Sequence, residues 1–117
     1  MKRIAVLLVL VILVSTPLSV QAATPRILSI RPGISFSGNI ATCTAPIMGD
    51  SSSDRMEAVI KLWRGSSCIE TWEASGNGYI FFSETANATK GHTYTLTVDL
   101  SVNGVAQDTV SFSKKYE

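Results

Sequence analysis

From Thr93 to Val102 the chain alternates without a lapse. Tyr94, Leu96, Val98, Leu100 and Val102 share one parity, and Thr93, Thr95, Thr97, Asp99 and Ser101 share the other. A two-residue period of this kind suits a strand with one face buried and the other in water. Met56, Ala58, Ile60 and Leu62 make a second such stripe, and Ile80 with Phe82 is expected to face them. After residue 22, no useful length of chain carries the helical period. Short runs rich in Ile, Val, Thr, Phe and Tyr are instead broken by Gly, Asn and Ser at the rhythm of an antiparallel sandwich or barrel. Seven strands are expected near 27–31, 34–37, 39–47, 56–64, 67–74, 79–86 and 93–102. A last one falls at 105–113 if the first two form one broken edge strand. Pro32-Gly33 marks that break, because proline donates nothing to a ladder and settles at edges.

Two turns set register. Val102-Asn103-Gly104-Val105 is a strong hairpin signal, since Asn-Gly accepts the positive φ that a type I′ turn demands. Gly65-Ser66 suits a type II′ turn, which pairs Arg64 with Ser67. Continued without a slip, this register sets Leu62 against Ile69 on one face. On the other it sets Trp63 against Cys68, Lys61 against Glu70 and Val59 against Trp72. Trp63 and Trp72 then point to solvent. A bulge in the ladder would reverse the parity beyond it and turn such rings inward.

The chain has 117 residues, but not all of them belong to this pattern. Lys2 and Arg3 precede the aliphatic run Ile4–Val14, Pro17 ends any helix, and Val20-Gln21-Ala22 places small residues where signal peptidase cuts. Residues 1–22 are therefore expected to be a secretory signal peptide. The apolar run is too short for the about 20 residues that a membrane span needs. What remains, 23–117, is the length of a single β-sandwich domain, secreted and extracellular. The chain carries 10 Lys and Arg against 9 Asp and Glu. With Lys2 and Arg3 removed the balance is slightly acidic, which gives no electrostatic case for nucleic acid or anionic lipid. No cysteine lies at the cleavage site and no second hydrophobic segment follows, so no lipid anchor and no membrane span after cleavage are expected.

Thr89-Lys90-Gly91-His92-Thr93-Tyr94 resembles the tyrosine corner of immunoglobulin-like and fibronectin type III-like sandwiches. There the ring packs in the core and its hydroxyl bonds backbone a few residues upstream. The order of Ala41-Thr42-Cys43, a strand ending in Leu62, Trp72 before a Gly-rich turn, and Lys90-Gly91…Tyr94 also resembles a group of small secreted single-domain proteins of Gram-positive gut bacteria. The resemblance implies fold and location and supplies no chemistry. Antibody-type domains bridge the second strand to the strand carrying the tyrosine corner, but that strand holds no cysteine here. Cys43 stands where the first partner belongs, whereas Cys68 follows Gly65. A Cys43–Cys68 disulfide would close a loop of about 25 residues and stabilise by on the order of 3 kcal/mol. Yet Cys43 shares the inward parity of Ala41, Ala45 and Ile47, and Cys68 shares that of Trp63, an arrangement that would forbid the bond. Both possibilities stay open.

Reactive constellations are sparse. A Ser-His-Asp hydrolase needs a histidine base, and the single candidate, His92, sits in the turn before Tyr94. Zinc needs three or four converging ligands, for which His92, Cys43 and Cys68 are too scattered. Glu70 and Glu73 differ in parity, and Glu57 and Glu84 suggest no cleft, which leaves no glycosidase pair. The loop Asp50-Ser51-Ser52-Ser53-Asp54 is rich in oxygen but lacks calcium-loop spacing, and reads as a solvated loop. Asn87-Ala88-Thr89 fits the glycosylation sequon and reads as a chance turn. No cofactor, metal or catalytic activity is expected. Exposed aromatics are the feature with binding potential: Trp63, Trp72 and Tyr79 as a ligand-binding set, with Phe81 beside Tyr79. The expectation is an all-β, antiparallel, immunoglobulin-like or fibronectin type III-like sandwich of about seven strands. It would act as a non-catalytic interaction module for an extracellular protein or surface polymer, or alternatively as a carbohydrate-binding domain using those rings.

Overall fold

Turn chemistry places the strands. The computed structural model describes residues 27–117, so the expected leader lies outside the described residues. Nine segments follow in order: β1 (Ile27–Ile30), β2 (Gly33–Ser37), β3 (Ile40–Gly49), β4 (Arg55–Arg64), β5 (Ser67–Asn77), β6 (Tyr79–Asn87), β7 (Thr93–Val102), β8 (Val105–Ala106) and β9 (Val110–Lys115). Asn103 at φ 52° and Gly104 at φ 83° make the tight β7–β8 turn, as a type I′ geometry requires. Both β1 and β2 pair with β3, which also pairs β6 along its length. Pro32 separates β1 from β2, so the two act as one interrupted edge strand. In the second sheet β5 pairs β4, β4 pairs β7, and β8 and β9 both pair β7. The nine segments thus fill seven strand positions, three against four. All pairings are antiparallel, and the chain is an all-β sandwich of two packed antiparallel sheets. Among the described residues no helix is long and apolar enough to cross a membrane.

The core forms where the inward parities of the two sheets meet. Ala41, Cys43, Ala45 and Ile47 from β3 face Ile60 and Leu62 from β4 and Leu96 and Val98 from β7, all at 0% exposure. Small residues on β3 opposite large ones on β4 and β7 let the sheets interdigitate at the usual ~10 Å spacing. At one end Tyr94 is buried and its hydroxyl accepts the Thr89 backbone N–H at 2.9 Å. Burial alone would push the phenol's pKa up. The hydrogen bonds at Thr89 and the positive Arg64 outweigh it and hold the hydroxyl below its ordinary value. Phe36 fills the space beside Tyr94 and stacks on Tyr116, with ring centroids 4.3 Å apart. The Tyr116 hydroxyl donates to the Gly38 carbonyl at 2.6 Å. Lys114 reaches the Ile34 carbonyl at 3.3 Å, which ties the edge of one sheet to the edge of the other.

The opposite end is held by Asp54, a buried carboxylate. Its Oδ2 accepts the Ser51 N–H at 3.1 Å and its Oδ1 accepts from the Asn103 side-chain amide at 3.1 Å. Its backbone carbonyl accepts the Gly78 N–H at 2.8 Å. Asn103 completes the knot by exchanging bonds with the Arg55 backbone, at 2.7 and 2.8 Å. Three connections, β3–β4, β5–β6 and β7–β8, therefore meet at one residue. Gly78 is required there: its φ is +76°, and a Cβ would sit 2.6 Å from the Ser52 Cα. The segment expected to be a solvated acidic loop instead buries one of its carboxylates. Charge-assisted bonds to a buried acceptor are the stronger kind, and removing that acceptor leaves its donors unpaired. Asp54→Ala is expected to cost about 2–4 kcal/mol by urea denaturation. It should also accelerate amide exchange at Ser51 and Asn103 well before the strand core opens.

Candidate functional site

The three rings expected to form one binding set are separated, two on opposite outer faces and one against the core. β4 and β5 start in the expected register, with Arg64 opposite Ser67 and Trp63 opposite Cys68. The ladder then slips: Leu62 pairs with Glu70, Lys61 with Thr71 and Ile60 with Trp72. Ile69 is the extra residue, and the bulge reverses the parity of everything after it on β5. Trp72 consequently turns toward the core and packs its ring against Phe82, with centroids 5.2 Å apart. The expected solvent-facing Trp72 is thus corrected, as are the pairings of Leu62 with Ile69, Lys61 with Glu70 and Val59 with Trp72.

Trp63 keeps its outward parity on the outer face of the four-position sheet. It is half-buried, its Nε1 donates to the Thr97 hydroxyl at 3.1 Å, and the Lys61 ammonium lies 6.0 Å from the ring centroid. On the same face an open groove of about 1000 Å³ is lined by Glu57, Val59, Glu73, Ser75, Asp99 and Gln107, among others. In register, Glu73 and Asp99 flank Val59 from either side, and the Thr109 hydroxyl donates to Asp99. The groove is acidic, lined by three carboxylates and no cation. Among the described residues, no group of three or more His, Cys, Asp or Glu side chains is arranged to hold a metal. His92 lies edge-on to Tyr94, with centroids 6.4 Å apart, at the turn.

Tyr79 is on the outer face of the other sheet, 48% exposed, with Phe81 at 59% beside it. The β3–β6 register sets Met48 across from Tyr79 and Pro46 across from Phe81. Met48 is 45% exposed, so these four side chains make a continuous apolar area on one end of the face. Further along come Thr44 opposite Ser83, Thr42 opposite Thr85 and Ile40 opposite Asn87. On the β2 side Ser35 pairs with Thr42 and Ser37 with Ile40. Every outward position of β3 and β6 is therefore uncharged. Arg31, whose backbone N–H bonds the Pro46 carbonyl at 3.1 Å, stands at the rim where β1 breaks from β2. Glu84, the charged residue of β6, has inward parity opposite Cys43 yet remains exposed at the sandwich edge. The sequence pointed to Tyr79 and Phe81 through their alternation with Ile80 and Phe82. It did not reveal that Met48 and Pro46 would join them, because that depends on which strand β6 pairs.

The two thiols are apart and free, Cys43 buried and Cys68 exposed. No disulfide joins them, because β3 turns Cys43 into the core while Cys68 stands on the outer face of the other sheet with Trp63. Burial pushes the Cys43 thiol up to about 11 from its usual 9.0. In the unfolded chain the same thiol ionises near its ordinary value. The stability held by keeping it protonated is therefore complete below about pH 9 and drains away as pH climbs toward about 11. Over that window the wild-type protein is expected to lose about 2–3 kcal/mol more than Cys43→Ala, by urea denaturation. A thiol reagent should titrate Cys68 at once in the native protein and Cys43 only on unfolding. Compared with known protein-family models, with curated proteins and with solved structures, the chain matches none.

Proposed function

We propose that the protein is an exported, non-catalytic interaction module that docks an extracellular macromolecule on the outer face of its three-position sheet. The observation that carries this reading is the apolar area of Met48, Tyr79, Phe81 and Pro46, continuous across two paired strands. Single exposed apolar side chains are ordinary on a protein surface, whereas a contiguous group held on a rigid sheet marks an interaction site. The export half of the proposal rests on the residue pattern of 1–22. The surroundings of His92 and of the carboxylates support a binding role over a catalytic one. His92 is engaged at the tyrosine turn, and the acidic groove offers carboxylates with no histidine or thiol among its lining residues.

The buried Cys43 makes a direct test feasible. In a Cys68→Ser background, a photoreactive maleimide is attached at Ser83→Cys on the proposed face, or at Ser111→Cys on the outer face of the other sheet. Each labelled protein is illuminated with extracellular material from the source cells. Adducts are expected from position 83 and not from position 111, and they should vanish when Phe81→Ser is added. Equal labelling from both positions, or no adduct at position 83, refutes the assignment.

A further inference from the structure

Resting on that docking reading, we infer that the occupant of the face is a neutral glycan chain, stacked on Tyr79 and Phe81 and hydrogen-bonded along β3 and β6. Charge is the first consideration. The outward positions of both complete strands carry no side chain that is charged at neutral pH, while the outer face of the other sheet carries Glu57, Glu73 and Asp99 together with Lys61. Apart from Arg31 at the rim, the face neither attracts nor repels an uncharged polymer, and it gives a polyanion or a basic peptide little to pair with.

The layout of the face narrows the partner further. A protein interface typically sets its apolar anchors at the centre and surrounds them with a polar rim. Here the aromatics lie at one end, followed by a ladder of hydroxyls, Thr44 with Ser83, then Thr42 with Thr85 and Ser35, with Ile40 beside Asn87 at the far end. None of these five hydroxyls has a hydrogen-bond partner among the described residues. Covering them with a protein surface would leave donors and acceptors unsatisfied unless each was matched. A sugar chain brings hydroxyls of its own, each able to donate and accept. Tyr79 and Phe81 are two residues apart on one strand, so their rings stand about 7 Å apart along it. They form two successive platforms for the C–H faces of a sugar ring, with the hydroxyl ladder continuing in the same direction. The order is linear, as a chain-like ligand requires. The rigid sheet holds all of it in place, which limits the entropy lost on binding.

Affinity gel electrophoresis of the purified protein tests this with dextran, pullulan, galactomannan and xyloglucan as neutral probes and polygalacturonate as the charged comparator. Retardation by at least one neutral polysaccharide is expected, with none by polygalacturonate. Tyr79→Ala/Phe81→Ala should raise the dissociation constant about tenfold or more at an unchanged melting temperature. Thr44→Val and Thr85→Val, which remove a hydroxyl and keep the strand-favouring branch, should each raise it about three- to fivefold. If no neutral polysaccharide retards the protein, or polygalacturonate retards it more, the glycan inference is overturned. In either case the cross-linking result at position 83 decides separately whether the docking face survives. Retardation that persists in Tyr79→Ala/Phe81→Ala and is lost in Trp63→Ala also overturns the glycan inference, because sugar binding would then belong to the other sheet.

Discussion

A single buried carboxylate organises one whole end of this sandwich. Sheets of this kind are stable enough in their middles, where aliphatic side chains interlock, but their connecting loops are bound by little. Asp54 gathers three of them by giving its two oxygens to donors from its own loop and from the β7–β8 turn, and its backbone carbonyl to Gly78. The register of β3 against β6 depends on that junction, because the Gly78 carbonyl in turn accepts the Gly49 N–H at 2.8 Å, at the point where the two strands begin to pair. Met48 and Tyr79, one residue from each of those glycines, are thereby brought side by side. The apolar end of the outer face is thus a consequence of how the loops beside it are tied.

The strands were legible because their signals are local. Parity along Thr93–Val102 and Met56–Leu62, and the turn chemistry of Asn103-Gly104, are properties of neighbouring residues, and nothing in the tertiary structure overrides them. Three features were not legible, each for a physical reason. The extra residue at Ile69 leaves no compositional trace, yet it sends Trp72 inward. Asp54 looks like any acidic loop residue until its donors arrive from elsewhere in the chain. Tyr116 follows the two lysines of a segment that reads as solvated, and it is buried because Phe36, far off in sequence, presents a ring for it to stack on. For Asp54 and Tyr116 the deciding partner is distant along the chain, whereas the Ile69 bulge is local but written in no residue type.

The two outer faces divide the protein's chemistry. One collects carboxylates around Val59 and keeps Trp63 fastened to Thr97 and beneath Lys61. The other pairs exposed rings with unbonded hydroxyls and carries no charged side chain at the outward positions of β3 and β6. A sequence reading groups Trp63, Trp72 and Tyr79 because all are large and aromatic. The fold sorts them by environment into a tethered ring, a core ring and an exposed ring, and the exposed one alone has neighbours that extend a surface.

Glu84 bears on what such a surface costs its owner. Among the described residues strand β6 pairs on one side only, with β3, next to the apolar end of the outer face. That combination invites copies of the molecule to add to one another strand by strand. Glu84 aims toward the sandwich interior from the middle of β6, so a strand laid alongside would press its own side chains against an ion that needs water. The strand that displays the exposed rings thus carries its own guard against edge-to-edge pairing.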